Sequence, residues 1–204
     1  VDSPASTSDL PVNPSDTTTA LAAAPVVALP EIVPTCPPWA LGLGGDQAQP
    51  WCPQLSQGLA IIGPAGSGRS TALARVYDIL QTTDPTLAQR AIFIDNLDQA
   101  CPSAINTVET ALDAGTPVFA TALTSRAANT YSGALSQLRN LSPLLLLAPG
   151  LGEGTQLANV RLTHWLDPHR QHLPGRGLVI ANSQITPVQI CQNASSIFAD
   201  NPQV

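Results

Sequence analysis

The chain has 204 residues, enough for one domain with a tail or for two small domains. Charged residues make up 11 %, against roughly a quarter in ordinary globular proteins. The net charge is −6 and all eight basic residues are Arg, so the basic stripe of a protein that tracks DNA through its phosphates is missing.

No apolar run approaches the roughly eighteen residues of a membrane span. Residues 18–33 are apolar but lack the basic flank of a signal peptide. With no Met, the sequence reads as a piece of a longer protein. The four cysteines, Cys36, Cys52, Cys101 and Cys191, form no C-x-x-C pair. They read as reduced, partly buried thiols, with a Cys36–Cys52 bridge as the alternative, and zinc is not expected.

Residues 1–21, rich in Ser, Thr, Asp and Pro, read as a disordered linker because they bury too little surface to offset the entropy of ordering. A domain is expected over 22–192 and a flexible tail over 193–204. From Ala22 to Pro34 the pattern is apolar, and its prolines allow an edge strand but not a central one. Cys36-Pro37-Pro38-Trp39 reads as a turn and Ala40 to Asp46 as a short strand entering a tight turn.

Next comes the apolar run Gly58-Leu59-Ala60-Ile61-Ile62. After it stand Gly63-Pro64-Ala65-Gly66-Ser67-Gly68-Arg69-Ser70, and then helical spacing from Thr71 to Leu80. Strand, glycine-rich loop and helix are the context in which G-x-x-x-x-G-[basic]-[Ser/Thr] cradles phosphate: glycines let backbone N–H groups close on an anion at a helix N-terminus.

A polar connector follows at Thr82–Pro85. Ile92-Phe93-Ile94-Asp95 has the pattern of a buried parallel strand with a carboxylate at its carboxyl end. Asn106–Ala114 reads as a helix, Pro117–Ala122 as a strand, and Tyr131–Leu141 as a helix with Leu135, Leu138 and Leu141 apolar. Leu144–Leu147 reads as a central strand, Gly150–Gly154 as a loop, and Leu178–Ile180 with Thr186–Ile190 as a closing β-hairpin. Alternating strands and helices predict an α/β fold with a mostly parallel sheet and helices on both faces.

Leu41-Gly42-Leu43-Gly44-Gly45-Asp46, the loop at 63–73, Ile92–Asp98, Leu144–Pro149, Gly152-Glu153-Gly154, Pro174–Ile180 and Thr186–Ile190 occur in an order that resembles the ATPase domains of the FtsK/SpoIIIE family. The resemblance is greatest to the degenerate C-terminal domains of actinobacterial and type VII secretion motors. It implies a RecA-like P-loop NTPase domain, reduced in size, in a membrane-anchored translocation ATPase on the cytoplasmic side of the membrane. It also implies ATP or ADP with Mg²⁺ at Gly63–Thr71, with Ser70 and Asp95 on the metal. Sister ATPase domains and a secreted helical protein are the implied partners.

Several positions depart from the family pattern. Arg69 stands where the loop asks for Lys, and its planar fork does not place a compact ammonium between phosphates. Asn96 stands where an active motor has the acid that orients the attacking water, and an amide is no base. The connector from Leu80 to Arg90 leaves no room for a strand and helix that active members carry there. The resemblance therefore implies nucleotide binding with weak or no hydrolysis. A docking module for a secretion substrate or a neighbouring ATPase domain is the alternative, and an active DNA translocase is the third reading.

Individual side chains have second readings. Ser70 could be a plain helix N-terminal residue. Asp95 reads equally as a Mg²⁺-linked carboxylate or as a strand-end acid capping a loop. Thr121 stands where a γ-phosphate could be sensed, but a hydroxyl at a strand end is common and it is taken as that. Arg126, Arg139 and Arg176 are candidates for a finger reaching a neighbouring subunit but are taken as solvated surface residues, and His164, His169 and His172 as surface residues of one polar loop.

Overall fold

A computed structural model describes residues 34–45, 47–150, 152–160, 162, 173–182 and 184–191. The linker 1–21, the apolar segment before Pro34, the three histidines and the tail 193–204 lie outside the described residues.

The chain runs β1 (Gly42–Gly44), β2 (Gln49–Trp51), β3 (Leu59–Gly63), α1 (Arg69–Thr83), α2 (Pro85–Arg90), β4 (Ile92–Ile94), a 3-10 turn (Leu97–Gln99), α3 (Pro102–Asp113) and β5 (Val118–Leu123). It continues with α4 (Thr124–Ala128), α5 (Ala134–Leu141), β6 (Leu144–Leu147), α6 (Glu153–Ala158), β7 (Arg176–Ala181) and β8 (Gln184–Ile190). The eight strands form one sheet in the order β2-β1-β8-β7-β6-β3-β5-β4. Strands β6, β3, β5 and β4 are parallel; β7, β8, β1 and β2 each pair antiparallel. The fold class is the α/β class expected, and the hairpin predicted at 178–190 joins the sheet beside β6.

Pattern dictates the layers. Every residue of β3 and of β6 is buried, as a strand covered on both faces must be. Ile61 and Leu59 point into a core with Leu73, Val76, Leu80 and Leu87 of α1 and α2. Ala60 and Ile62 point the other way, onto Val108, Leu135, Leu138 and Leu157 of α3, α5 and α6. Period-2 alternation thus splits one strand between two cores.

Some local readings change. The polar connector at 82–85 is not a loop: α1 runs to Thr83 and Pro85 opens α2, where Asp84 Oδ1 accepts the Leu87 N–H at 3.0 Å. Proline at a helix start gives up only an N–H that would lack a partner anyway. The loop expected at 150–154 already enters α6 at Glu153. Strand β4 is parallel but stands at the sheet edge, so Ile92 and Phe93 are only half-buried. Leu141 is 59 % exposed because the apolar face holding Leu135 and Leu138 runs out at the last residue of α5.

The cysteine reading is corrected. Cys36 is bonded to Cys191, 155 residues away, with Cα atoms 5.9 Å apart; Cys52 and Cys101 are free. The pairing follows from β1 lying beside β8, which brings Cys191 N–H to within 3.1 Å of Leu41 O. Sequence spacing contains no trace of that contact.

Candidate functional site

Parallel strands β3, β5 and β4 end at one edge of the sheet, and the glycine-rich loop leaves from the end of β3. Gly63 closes the strand, Pro64, Ala65 and Gly66 are exposed, and the Ser67 N–H turns back onto Pro64 O at 3.2 Å. Gly68 then adopts φ 92°, the left-handed region open to glycine, and starts α1. No side chain caps that helix and its first turn holds no acid, so its leading N–H groups carry the helix's positive end without a built-in anion. Ser70 and Thr71 lie exposed in this first turn.

Asp95, just past β4, reaches back to the loop. Ser70 Oγ donates to Asp95 Oδ2 at 2.8 Å, and Thr121 Oγ1 donates to Asp95 Oδ1. Thr121 is fully buried on β5, between β4 and β3, and its oxygen accepts the Asn96 N–H at 2.8 Å. It is therefore no ordinary strand-end hydroxyl: it orients the carboxylate across the gap between the two outer strands. Asn96 sits at φ 54°, an αL position that Asn tolerates, and opens the 3-10 turn. Further round, Asp98 Oδ1 accepts the Leu123 N–H at 3.2 Å, capping the end of β5, a role the sequence did not suggest.

A carboxylate has about four lone-pair sites, so two hydroxyl donors leave Asp95 room for more. Ser70 and Asp95 together present hard oxygen ligands of the kind Mg²⁺ takes. Two buried polar atoms at the loop lack any hydrogen-bond partner among the described residues, Ser67 Oγ and Arg69 Nη1. An unpaired buried guanidinium N–H is costly, and an anion's oxygen would satisfy it. The residues present fit a phosphate with a divalent cation.

The arginines divide. Arg126 is exposed as expected. Arg139 is not a solvated residue: its Nη1 donates to Ala127 O at 2.6 Å and ties α5 to α4. Arg176, half-buried, donates from Nε to Gln189 Oε1 at 3.2 Å. A fourth, Arg75 on α1, is 4 % exposed and holds Ala40 O through Nε at 3.0 Å and Pro37 O through Nη2 at 2.6 Å. Burial lowers its pKa, and burial also pushes the nearby Cys52 thiol up to about 11. Cys101, fully exposed, is held below its usual value chiefly by its hydrogen bond with Ser103.

No protein-family model matches the chain, and no curated protein matches its sequence. Solved structures do. The cytoplasmic domain of the Thermomonospora curvata type VII secretion ATPase EccC matches with a TM-score of 0.53 at 15 % identity, over 76 % of this chain and 26 % of that one. Thermomonospora curvata EccC (ATPases 2 and 3) in complex with a signal sequence peptide matches with a TM-score of 0.55 at 15 % identity, over 82 % and 44 %. This is the fold of a type VII secretion ATPase domain. The chain spans less than half of either structure, so the likeness to the EccC ATPase domains bears on one domain's architecture. Among the described residues no helix is long and apolar enough to cross a membrane.

Proposed function

We propose that this chain is a nucleotide-binding domain, taking ATP or ADP with Mg²⁺, that serves as an accessory module of a membrane-anchored secretion motor and hydrolyses weakly or not at all. The observation that carries the reading is the Ser70–Asp95 hydrogen bond of 2.8 Å at the mouth of an uncapped helix, the pair of oxygens a phosphate-bound cation needs. The backbone N–H groups of Gly66 and of Gly68 to Thr71 bind the phosphates. Mg²⁺, when bound, neutralises phosphate charge at Ser70 and Asp95. Arg69 supplies positive charge without the compact ammonium of Lys. The Asn96 side-chain amide takes no proton. Binding without turnover follows from that set.

The EccC likeness supports the wider setting: sister ATPase domains as neighbours, a secreted helical protein as the motor's cargo, and a place on the cytoplasmic side of the membrane. The net charge of −6 argues against DNA as a ligand of this domain.

Calorimetric titration with MgATP and MgADP tests the reading, with Ser70→Ala and Asp95→Ala beside the parent chain. Micromolar binding by the parent, weakened about tenfold or more in each variant, is expected for a charge-assisted site. No heat from the parent at millimolar nucleotide would sink it and favour a docking module instead.

A further inference from the structure

Strand β8 carries one side chain that fits neither core. Val188 and Ile190 point into the core beneath α1, as alternate residues of a strand should. Gln189, facing the other way, is 1 % exposed. A buried amide is costly unless its donors and acceptor are used. Its Nε2 donates to Pro174 O at 2.9 Å, and its Oε1 accepts from Arg176 Nε at 3.2 Å.

The amide therefore grips the loop that leads into β7. That loop is also tied to the strand by main-chain bonds: Ile190 N–H donates to Gly175 O at 2.7 Å, and Ala148 N–H, just past β6, donates to Arg176 O at 2.8 Å. A further hydrogen bond points at the glycine-rich loop, where Gly175 N–H donates to Ser67 O at 2.8 Å. Contact there is close. A Cβ on Gly68 would stand 3.2 Å from Gly175 N, and Gly175 itself is at φ 77° with Gln189 Nε2 3.1 Å from where its own Cβ would be. Two glycine turns are pressed together, one of them the candidate phosphate loop and the other fixed from behind by Gln189.

We propose that Gln189 is a positioning residue for the phosphate site. Through its bond to Pro174 O it holds Gly175 against Ser67, and so holds the loop carbonyl that sets the direction of the amides following it. This inference rests on the nucleotide reading above. It adds that the antiparallel hairpin, remote in sequence from the loop, forms the loop's second wall.

The test uses Gln189→Leu, which loses every hydrogen bond of the amide, its weaker one to Ile190 O included, and Gln189→Glu. As a carboxylate, Glu keeps an acceptor for Arg176 but has no N–H to give Pro174. Exchange of the Gly175 amide hydrogen is followed by NMR, and MgADP affinity by calorimetry. Both variants are expected to exchange Gly175 about fivefold or more faster and to bind MgADP about fivefold more weakly, the size of one lost hydrogen bond. Parent-like behaviour of Gln189→Glu would overturn the proposal, since the Pro174 bond would then be idle.

The parent chain gives an answer even where a variant fails to fold. Saturating MgADP is expected to slow Gly175 exchange while leaving Gly115, in the turn after α3, unchanged; an unaltered Gly175 would count against the second wall. A parent that binds no MgADP removes the nucleotide reading instead. Gly175 exchange in the two variants then decides the anchoring by itself.

Discussion

Strands β4, β5, β3 and β6 are joined by βα units whose helices pack directly over them, and the side chains of β5, β3 and β6 are buried on both faces. Strands β7, β8, β1 and β2 are different. Much of β2 and Gln184 at the start of β8 are exposed; long-range ties hold this half together, the Cys36–Cys191 bond and Gln189 on Pro174, and others join it to the first half, the β6–β7 pairing, Arg75 on Pro37 and Ala40, and Gly175 on Ser67. The first half is held by area; the second adds long-range polar and covalent links to the area that Leu178, Val179, Val188 and Ile190 bury. The site oxygens at Ser70, Asp95 and Thr121 sit in the first half, and the wall behind the loop sits in the second. Stability and loop geometry are thus supplied by different parts of one sheet.

Truncation should separate the halves most sharply. Phe119, fully buried on β5, stacks on Phe93 at 4.8 Å, and Tyr77 meets Phe93 edge-on at 5.2 Å. Phe119→Ala is expected to cost about 4 kcal/mol in urea unfolding. Ile185→Ala, at a half-buried position of β8, should cost about 1 kcal/mol, because less apolar area leaves water there. Equal losses would erase the distinction.

The second contrast is covalent. Cys191→Ala opens a loop of 155 residues and is expected to cost about 3 kcal/mol under oxidising conditions and almost nothing in excess thiol reductant. Alkylation of the oxidised protein at pH 8 checks the pairing independently. Thiolate is the reactive form, so a thiol pushed up to about 11 from 9.0 reacts about 100-fold more slowly from ionisation alone. Cys101, exposed and shifted down, should be labelled first, Cys52 far later, and Cys36 and Cys191 not at all. Labelling of all four would dissolve the covalent tie.

What could be read from the sequence follows the same division. The loop at 63–70, the strand ending in Asp95 and the run Leu144–Leu147 are local patterns, and each sits where its pattern placed it. Secondary structure of 3.6 or 2.0 period and a motif of contiguous residues need no partner to be legible. Arg75, Gln189 and the Cys36–Cys191 pair gave no signal, because their meaning lies in partners 13 to 155 residues away. Thr121 is the instructive middle case. Its place in a strand was visible, but it lies inside β5 rather than at its end, and its use depends on Asp95 coming from the neighbouring strand, 26 residues earlier.

Thr121 also gives the finest test of the comparison, because it belongs to the packed half and yet acts on the site. Thr121→Val keeps the β-branched shape and removes the hydroxyl. It therefore leaves the packing of β5 in place, strips Asp95 Oδ1 of a donor and leaves the Asn96 N–H without its acceptor. Asp95 keeps the Ser70 bond, so its carboxylate loses one of two constraints on its orientation. MgADP affinity is expected to fall about threefold, less than one full hydrogen bond to a charged group, with Ser70→Ala as the larger reference. Parent-like affinity in Thr121→Val would mean that Ser70 alone aligns the carboxylate and that β5 contributes only packing. A loss as large as that of Ser70→Ala would mean that alignment is made in the packed half, at a residue no phosphate touches.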